Sequence, residues 1–220
     1  MRTSALPNFL PSTHGLRFVN RWPSGPAFEF RVGYLRLGIG EVADGLCGGM
    51  CLAVADRYLA NQPVPMTIEA PAPGSPLFRE IARRQFDSLG RLGAGPLRFW
   101  WAGSRLALGR WTTIRQAAEW RALCRDIEAG RPAMAGLVRS AGINPLGLTG
   151  NHQVLAFAHE STPDSGLLRV YDPNHPGSDE VSLRILRDSE AGGPARFRLE
   201  QSTGEPLLAL LRLPYRRQGA

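Results

Sequence analysis

The stretch DGLCGGMCLAVADRYLA, Asp44 to Ala60, puts two of the chain's three cysteines and a glycine pair at the start of one periodic segment. Apolar side chains at Cys47, Met50, Cys51, Val54 and Tyr58 recur at helical spacing, and Pro63 and Pro65 end the run. A structural zinc site needs about four ligands, and no second Cys/His pair follows these two; His14, His152, His159 and His175 are dispersed. The spacing is C-x-x-x-C rather than the redox C-x-x-C, which on a helix stacks the two sulfurs one turn apart. Two readings remain: a reactive thiol, or core packing for both residues.

Glycine inside a helix costs roughly 1 kcal/mol against alanine. The density of Gly45, Gly48 and Gly49 therefore points to a helix start that other backbone must approach closely. Unpaired N–H groups and the macrodipole favour a thiolate there. Cys47 is the candidate nucleophile, and Cys51, one turn deeper, the apolar filler.

Working outward, residues 1–26 read as an irregular leader, and Phe28 to Leu37 as strand or loop. A second helix is expected over Pro76 to Leu89, with Leu77, Ile81 and Phe86 inward and Gly90 as its stop. LRFWWAG is an aromatic patch of open assignment. A third helix is expected over about Thr113 to Ala129, capped by Thr112 or Thr113 and ended by Gly130. Beyond Gly130 come short strand-like runs separated by Gly, Pro, Asn and Asp clusters: PAMAGLVRS, HQVLAFAHE, LLRVYDP, VSLRIL, ARFRLEQ and PLLALLRL. Helices first and strands second is an α+β order rather than a βαβ repeat. One domain over 1–220 is expected, with a mainly helical part at 41–130 and an antiparallel sheet at 131–215.

The net charge of +7 comes from arginine alone, since the chain contains no lysine. The arginines are scattered with no aromatic-interleaved basic run, so no specific nucleic-acid partner is expected. No apolar run is long enough to span a membrane, and the N-terminal residues lack a continuous apolar core of the secretory kind. An odd cysteine count fits a reducing compartment; a cytoplasmic location is expected, with signal-less export as the alternative. No cofactor and no metal are expected.

A thiolate nucleophile needs a proton-handling partner and a group that orients it. GNHQVLAFAHESTPDSGLLRVYDPNHPG, Gly150 to Gly177, reads as a hairpin: His152 opens one strand, STPDSG turns the chain, and Asp172 closes the next strand before Pro173. His152 and Asp172 are both even-numbered, as are Val154, Ala156, Leu168 and Val170, so the alternation predicts that they share one end and one face. His159 alternates away from His152 and is expected to be exposed. His175 is a rival base on a loop, and His14 has a capping or turn role. Trp22, Trp100 and Trp101 either line a cleft or pack internally.

GLCGGMCLAVADRYL, NHQVLAFA and RVYDPNHPG together resemble the papain-like cysteine peptidase fold, and within it the C39-like peptidase group. The resemblance implies a papain-like α+β domain whose Cys47, His152 and Asp172 serve as nucleophile, base and orienter. It implies peptide or amide hydrolysis, or acyl transfer, through a thioester, with a peptide or protein substrate. The Cys-Gly order favours Cys47; a papain-type alignment, with Cys before an aromatic, favours Cys51. Such proteins place a glutamine about six residues before the nucleophile as oxyanion donor. Glu41 stands there, and a carboxylate donates only when protonated. Asp44 has the same defect; Asn151 can supply the amide instead, or the Cys47 backbone N–H can serve alone. Glu41 also motivates a second reading, a catalytically idle papain-like domain that binds a peptide or protein.

Overall fold

The computed structural model describes residues 1–32, 35–41, 45–88, 94–144, 150–188 and 196–217; of residues 26–32, 35–41, 94, 95, 188 and 196 only the backbone is described. The chain is mixed α and β. The strands are β1 (Arg2–Ala5), β2 (Pro26–Val32), β3 (Leu35–Glu41), β4 (Ala133–Val138), β5 (His152–Ser161), β6 (Ser165–Tyr171), β7 (Ser182–Asp188), β8 (Arg196–Gln201) and β9 (Ala209–Arg212). The helices are α1 (Pro11–His14), α2 (Cys47–Leu59), α3 (Pro76–Ser88), α4 (Ala94–Ala107) and α5 (Thr113–Glu128).

A seven-stranded antiparallel sheet runs in the order β8-β7-β6-β5-β4-β9, with β1 also paired to β5; β2 and β3 form a separate hairpin. One edge of β5 is shared. β4 pairs with His152 to Ala156, and β1 with Ala158 to Ser161. The two segments meet at Phe157, whose carbonyl accepts the Leu6 N–H at 2.8 Å.

Apolar clusters cover both faces of this sheet. Met134, Leu155 and Phe157 pack with Met50, Cys51 and Val54 of α2; Ala133, Ala135, Val154 and Ala156 pack with Trp120, Leu123 and Ile127 of α5. That is why β4 reads as AMAGLV, buried at every position, instead of alternating with polar residues. Helices α2 and α5 therefore lie on opposite sides of the sheet, although both fall within the mainly helical stretch of sequence. Within residues 1–26, expected as an irregular leader, two short elements form: β1 extends the sheet and α1 packs beside α2.

The helix signals match local geometry. Thr112 caps α5 by accepting the Arg115 N–H at 3.2 Å, and Gly130 follows at φ 69°. The FWW patch lies within α4. Helix α3 is described to Ser88, and Leu89 and Gly90 lie outside the described residues. Its inward face is corrected: Phe78, Ile81 and Ala82 are buried, whereas Phe86 is 41 % exposed. Buried Arg84 occupies that face instead, pairing with Asp56 of α2 at 2.9 Å and donating to the Arg216 carbonyl at 2.8 Å. Burial of a guanidinium is tolerated because carboxylates and a carbonyl meet its donors.

The glycine pair in α2 answers to close packing. A Cβ on Gly48 would overlap Ser88 Oγ and the Gln153 side chain; one on Gly49 would overlap the Ile81 carbonyl. The Gly49→Ala variant gains about 1 kcal/mol of helix propensity and meets an overpacking penalty of about 1–3 kcal/mol. The penalty is expected to win because the obstacle is backbone. Chemical denaturation should show a net loss of stability, and an unchanged or raised midpoint would contradict this packing.

Candidate functional site

Cys47 is the first residue of α2, and its side chain is buried but for 8 % of its surface. The segment before it is pinned by Asn20. Asn20 Oδ1 accepts the Leu46 N–H at 2.6 Å, its Nδ2 donates to Asn174 Oδ1 at 3.3 Å, and its own N–H donates to the Pro173 carbonyl at 3.0 Å. One side chain thus ties the start of α2 to the loop after β6. Gln85 Oε1 accepts the Gly49 N–H at 2.7 Å, relieving one of the amides left unpaired in a helix's first turn. Among the described residues no acceptor takes the Cys47 N–H.

His152 and Asp172 come together as a buried pair, Nε2 to Oδ1 at 2.7 Å. Asp172 is further held by the Asn174 N–H on Oδ1 at 2.8 Å and by Gln201 Nε2 on Oδ2 at 3.1 Å. Gln201 is oriented in turn by Arg139, whose Nη2 donates to its Oε1 at 3.1 Å. With Nε2 engaged by Asp172, Nδ1 is the ring nitrogen left to face the Cys47 sulfur, with which His152 is electrostatically coupled.

The even-number argument for this pairing omits a step. Near the turn, β5 and β6 pair residues of opposite parity, as in His159 with Leu168 and Ala158 with Arg169. Continued unchanged, that register would put His152 and Asp172 on opposite faces. Phe157 is an extra residue in β5, a β-bulge, and beyond it like pairs with like: Ala156 with Val170, Leu155 with Tyr171. The bulge restores the shared face. It also corrects the expectation for His159, which turns to the α5 side and is buried, 3.3 Å from Glu128.

The electrostatics separate the cysteines. Burial alone would push the Cys47 thiol up, but the His152 charge and hydrogen bond, with the Gln153 and Gly48 N–H groups, bring it below its ordinary value. Burial opposes a charged His152; the negative sulfur and the Asp172 carboxylate outweigh it and raise the ring from 6.5 to about 9. Burial also works against the Asp172 carboxylate, and the His152 bond holds it below its ordinary value. Cys51 is pushed well up by burial and by the neighbouring negative charges, and its sulfur donates to the Gln153 carbonyl at 3.6 Å. Burial raises Cys124 to about 11. The arrangement sets a thiol of lowered pKa beside an imidazole of raised pKa, with a carboxylate behind the ring.

The side chains of the other named residues either have partners outside this group or are not described. Glu41 ends β3, and its side chain is not described; Asp44 lies outside the described residues. Asn151 Oδ1 accepts the Arg139 N–H at 3.1 Å, tying the amide to the end of β4. His175 faces Glu205 at 3.4 Å, and His14 takes the Leu10 N–H and stacks on Phe9. Trp22 is a core residue bonded to the Pro71 carbonyl, and Trp100 donates to the Ile143 carbonyl. Trp101 packs on Trp111 between two arginines. No group of three or more His, Cys, Asp and Glu able to hold a metal occurs among the described residues, and none of their helices is long and apolar enough to cross a membrane. Asn20 and Gln201 carry no local sequence signal, because each acts across more than twenty residues of chain. Comparison with protein-family models, curated proteins and solved structures finds no match for the chain.

The pH dependence follows in sign. His152 holds its proton more tightly folded than unfolded, so its stabilising effect is complete below 6.5 and is lost as pH rises through about 9. Cys47 and Asp172, shifted down, contribute above their unfolded values, and that contribution is lost as pH falls through the folded ones. Alkylation by iodoacetamide, read peptide by peptide, should modify Cys47 at neutral pH while Cys51 and Cys124 stay intact. In His152→Ala the midpoint for Cys47 should move up. Equal rates at the three cysteines, or an unmoved midpoint, would contradict the pair.

Proposed function

We propose that the chain is a papain-like thiol hydrolase or acyltransferase, related in organisation to the C39-like peptidases, that acts on amide or peptide bonds. The observation that carries this reading is the shared imidazole: one ring nitrogen of His152 lies on Asp172 at 2.7 Å, and the same ring and the Cys47 thiol shift each other's titration. A purely structural histidine needs no acidified thiol beside it, whereas a nucleophile with its base and orienter has this form.

The chemistry runs in two halves. The Cys47 thiolate attacks the substrate carbonyl carbon, forming the S–C bond and moving an electron pair onto the oxygen. The Cys47 N–H at the start of α2 is positioned on the nucleophile's own residue to stabilise that oxyanion. His152, imidazolium at the outset, gives its proton to the departing amine as the C–N bond breaks, leaving a thioester and a neutral ring. In the second half His152 takes a proton from water, or from an acceptor amine. The resulting nucleophile displaces the thiolate, and the acid or new amide leaves. Asp172 retains its negative charge throughout, holding the ring in place and favouring its charged form.

The test is a panel of fluorogenic peptide amides with mass analysis of the Cys47 peptide. An acyl adduct on Cys47 is expected, along with loss of turnover in Cys47→Ala and His152→Ala. Asp172→Ala should lower kcat, and Asp172→Asn, which keeps an oxygen acceptor for the ring as in Cys-His-Asn sites, should lower it less. Turnover that survives Cys47→Ala would refute the proposal.

A further inference from the structure

A cavity of about 320 Å³ opens at the other end of β5, between α5 and the β5–β6 turn. That is within the size range of small-ligand sites, roughly 300–1,000 Å³. Nine residue steps along β5 separate Ser161 there from His152, about 30 Å at strand rise. The cavity is therefore distinct from the Cys47 site.

Its walls are apolar: Trp120, Cys124 and Ile185 are buried, and Phe197 closes one side. The indole of Trp120 lies against the backbone of β6, where Gly166 leaves no room for a Cβ. On α5, Ala117 lies one turn before Arg121 and leaves the space open.

Three of the charged groups at this cavity are arginines. Arg121 and Arg125 stand four residues apart on α5, and Arg2 joins them from β1. None of the three has an ion pair with a carboxylate among the described residues. Like charges at that helical spacing repel unless an anion lies between them. Glu128 is the only carboxylate in the lining, and it is drawn to His159. Inside, His159 Nδ1 stands 3.4 Å from Ser161 Oγ. The His159 Nε2, with its side chain 1 % exposed, has no aligned hydrogen bond.

We propose that this cavity binds a small amphipathic carboxylate, with its apolar body against Trp120, Ile185 and Phe197 and its carboxylate between Arg121 and Arg125. Charge at the mouth selects the head group, and the walls select the body. The proposal stands independently of the reaction assigned to Cys47.

Calorimetric titration of the full chain with octanoate, octanol, octylammonium and inorganic phosphate tests it. Octanoate is expected to bind, octanol at least about tenfold more weakly, and octylammonium and phosphate not measurably. Ala117→Phe, which fills the cavity, should abolish octanoate binding. Arg121→Gln with Arg125→Gln, both exposed changes that leave the core intact, should weaken octanoate but not octanol. Octanoate should leave the alkylation rate of Cys47 unchanged. Equal affinity for octanoate and octanol would overturn the proposal, as would phosphate binding as tight as octanoate. Binding that survives both sets of substitutions, or no octanoate binding at millimolar concentration, would also overturn it.

Discussion

Along the β5–β6 ladder the chain pairs in two registers joined at Phe157. The turn end is set by the STPDSG reversal, where Thr162 takes the Ser165 N–H on its Oγ1 and donates its own N–H to the Ser165 carbonyl. The far end is set by what must meet there, His152 and Asp172. One extra residue reconciles them, and its side chain is not idle. Phe157 turns toward the α2 side, where its ring packs on Phe9, while its carbonyl receives Leu6 at the point where β4 gives way to β1. The bulge is held by core and backbone together, so the register it imposes is not free to slip.

Given that register, the candidate site assembles from segments far apart in sequence. Helix α2 contributes a sulfur at its first residue, β5 an imidazole, the residue just past β6 a carboxylate, and β8 the Gln201 amide that steadies the carboxylate. Asn20 draws the first of these toward the loop that follows the third. The glycines of α2 let its first turn descend onto β5 and α3. Burial, which by itself would keep both Cys47 and His152 neutral, instead strengthens the attraction of each for the other's charge. Cys51 feels the same burial without an imidazole partner and stays a neutral thiol. Two cysteines one turn apart are thus shifted in opposite directions by what surrounds them.

Much of this was legible in the sequence. The period of α2, the Thr112 cap, the Gly130 stop and the hairpin around Asp164 are local signals, and local physics decides them. The different environments of Cys47 and Cys51 followed from the helix start. The bulge was not legible, because FAH in β5 carries no residue type that demands one, and the expectation for His159 failed with it. The pairing of β1 was hidden as well, since RTSA is too short and too polar to read as a strand until β5 supplies a partner. Phe86 misled because α3 presents a buried arginine where the apolar period placed an aromatic. Asn20 and Gln201 have purely tertiary roles that no window of sequence displays.

The charge on one ring tests the central claim most directly. Nitrogen NMR of His152 at about pH 8 reads whether both ring nitrogens carry protons. With the ring titrating at about 9, the thiolate–imidazolium pair predicts a doubly protonated ring in the intact chain and a neutral one once Cys47 is replaced by alanine. A neutral His152 in the intact chain at that pH would contradict the account, whatever the distance between the two residues.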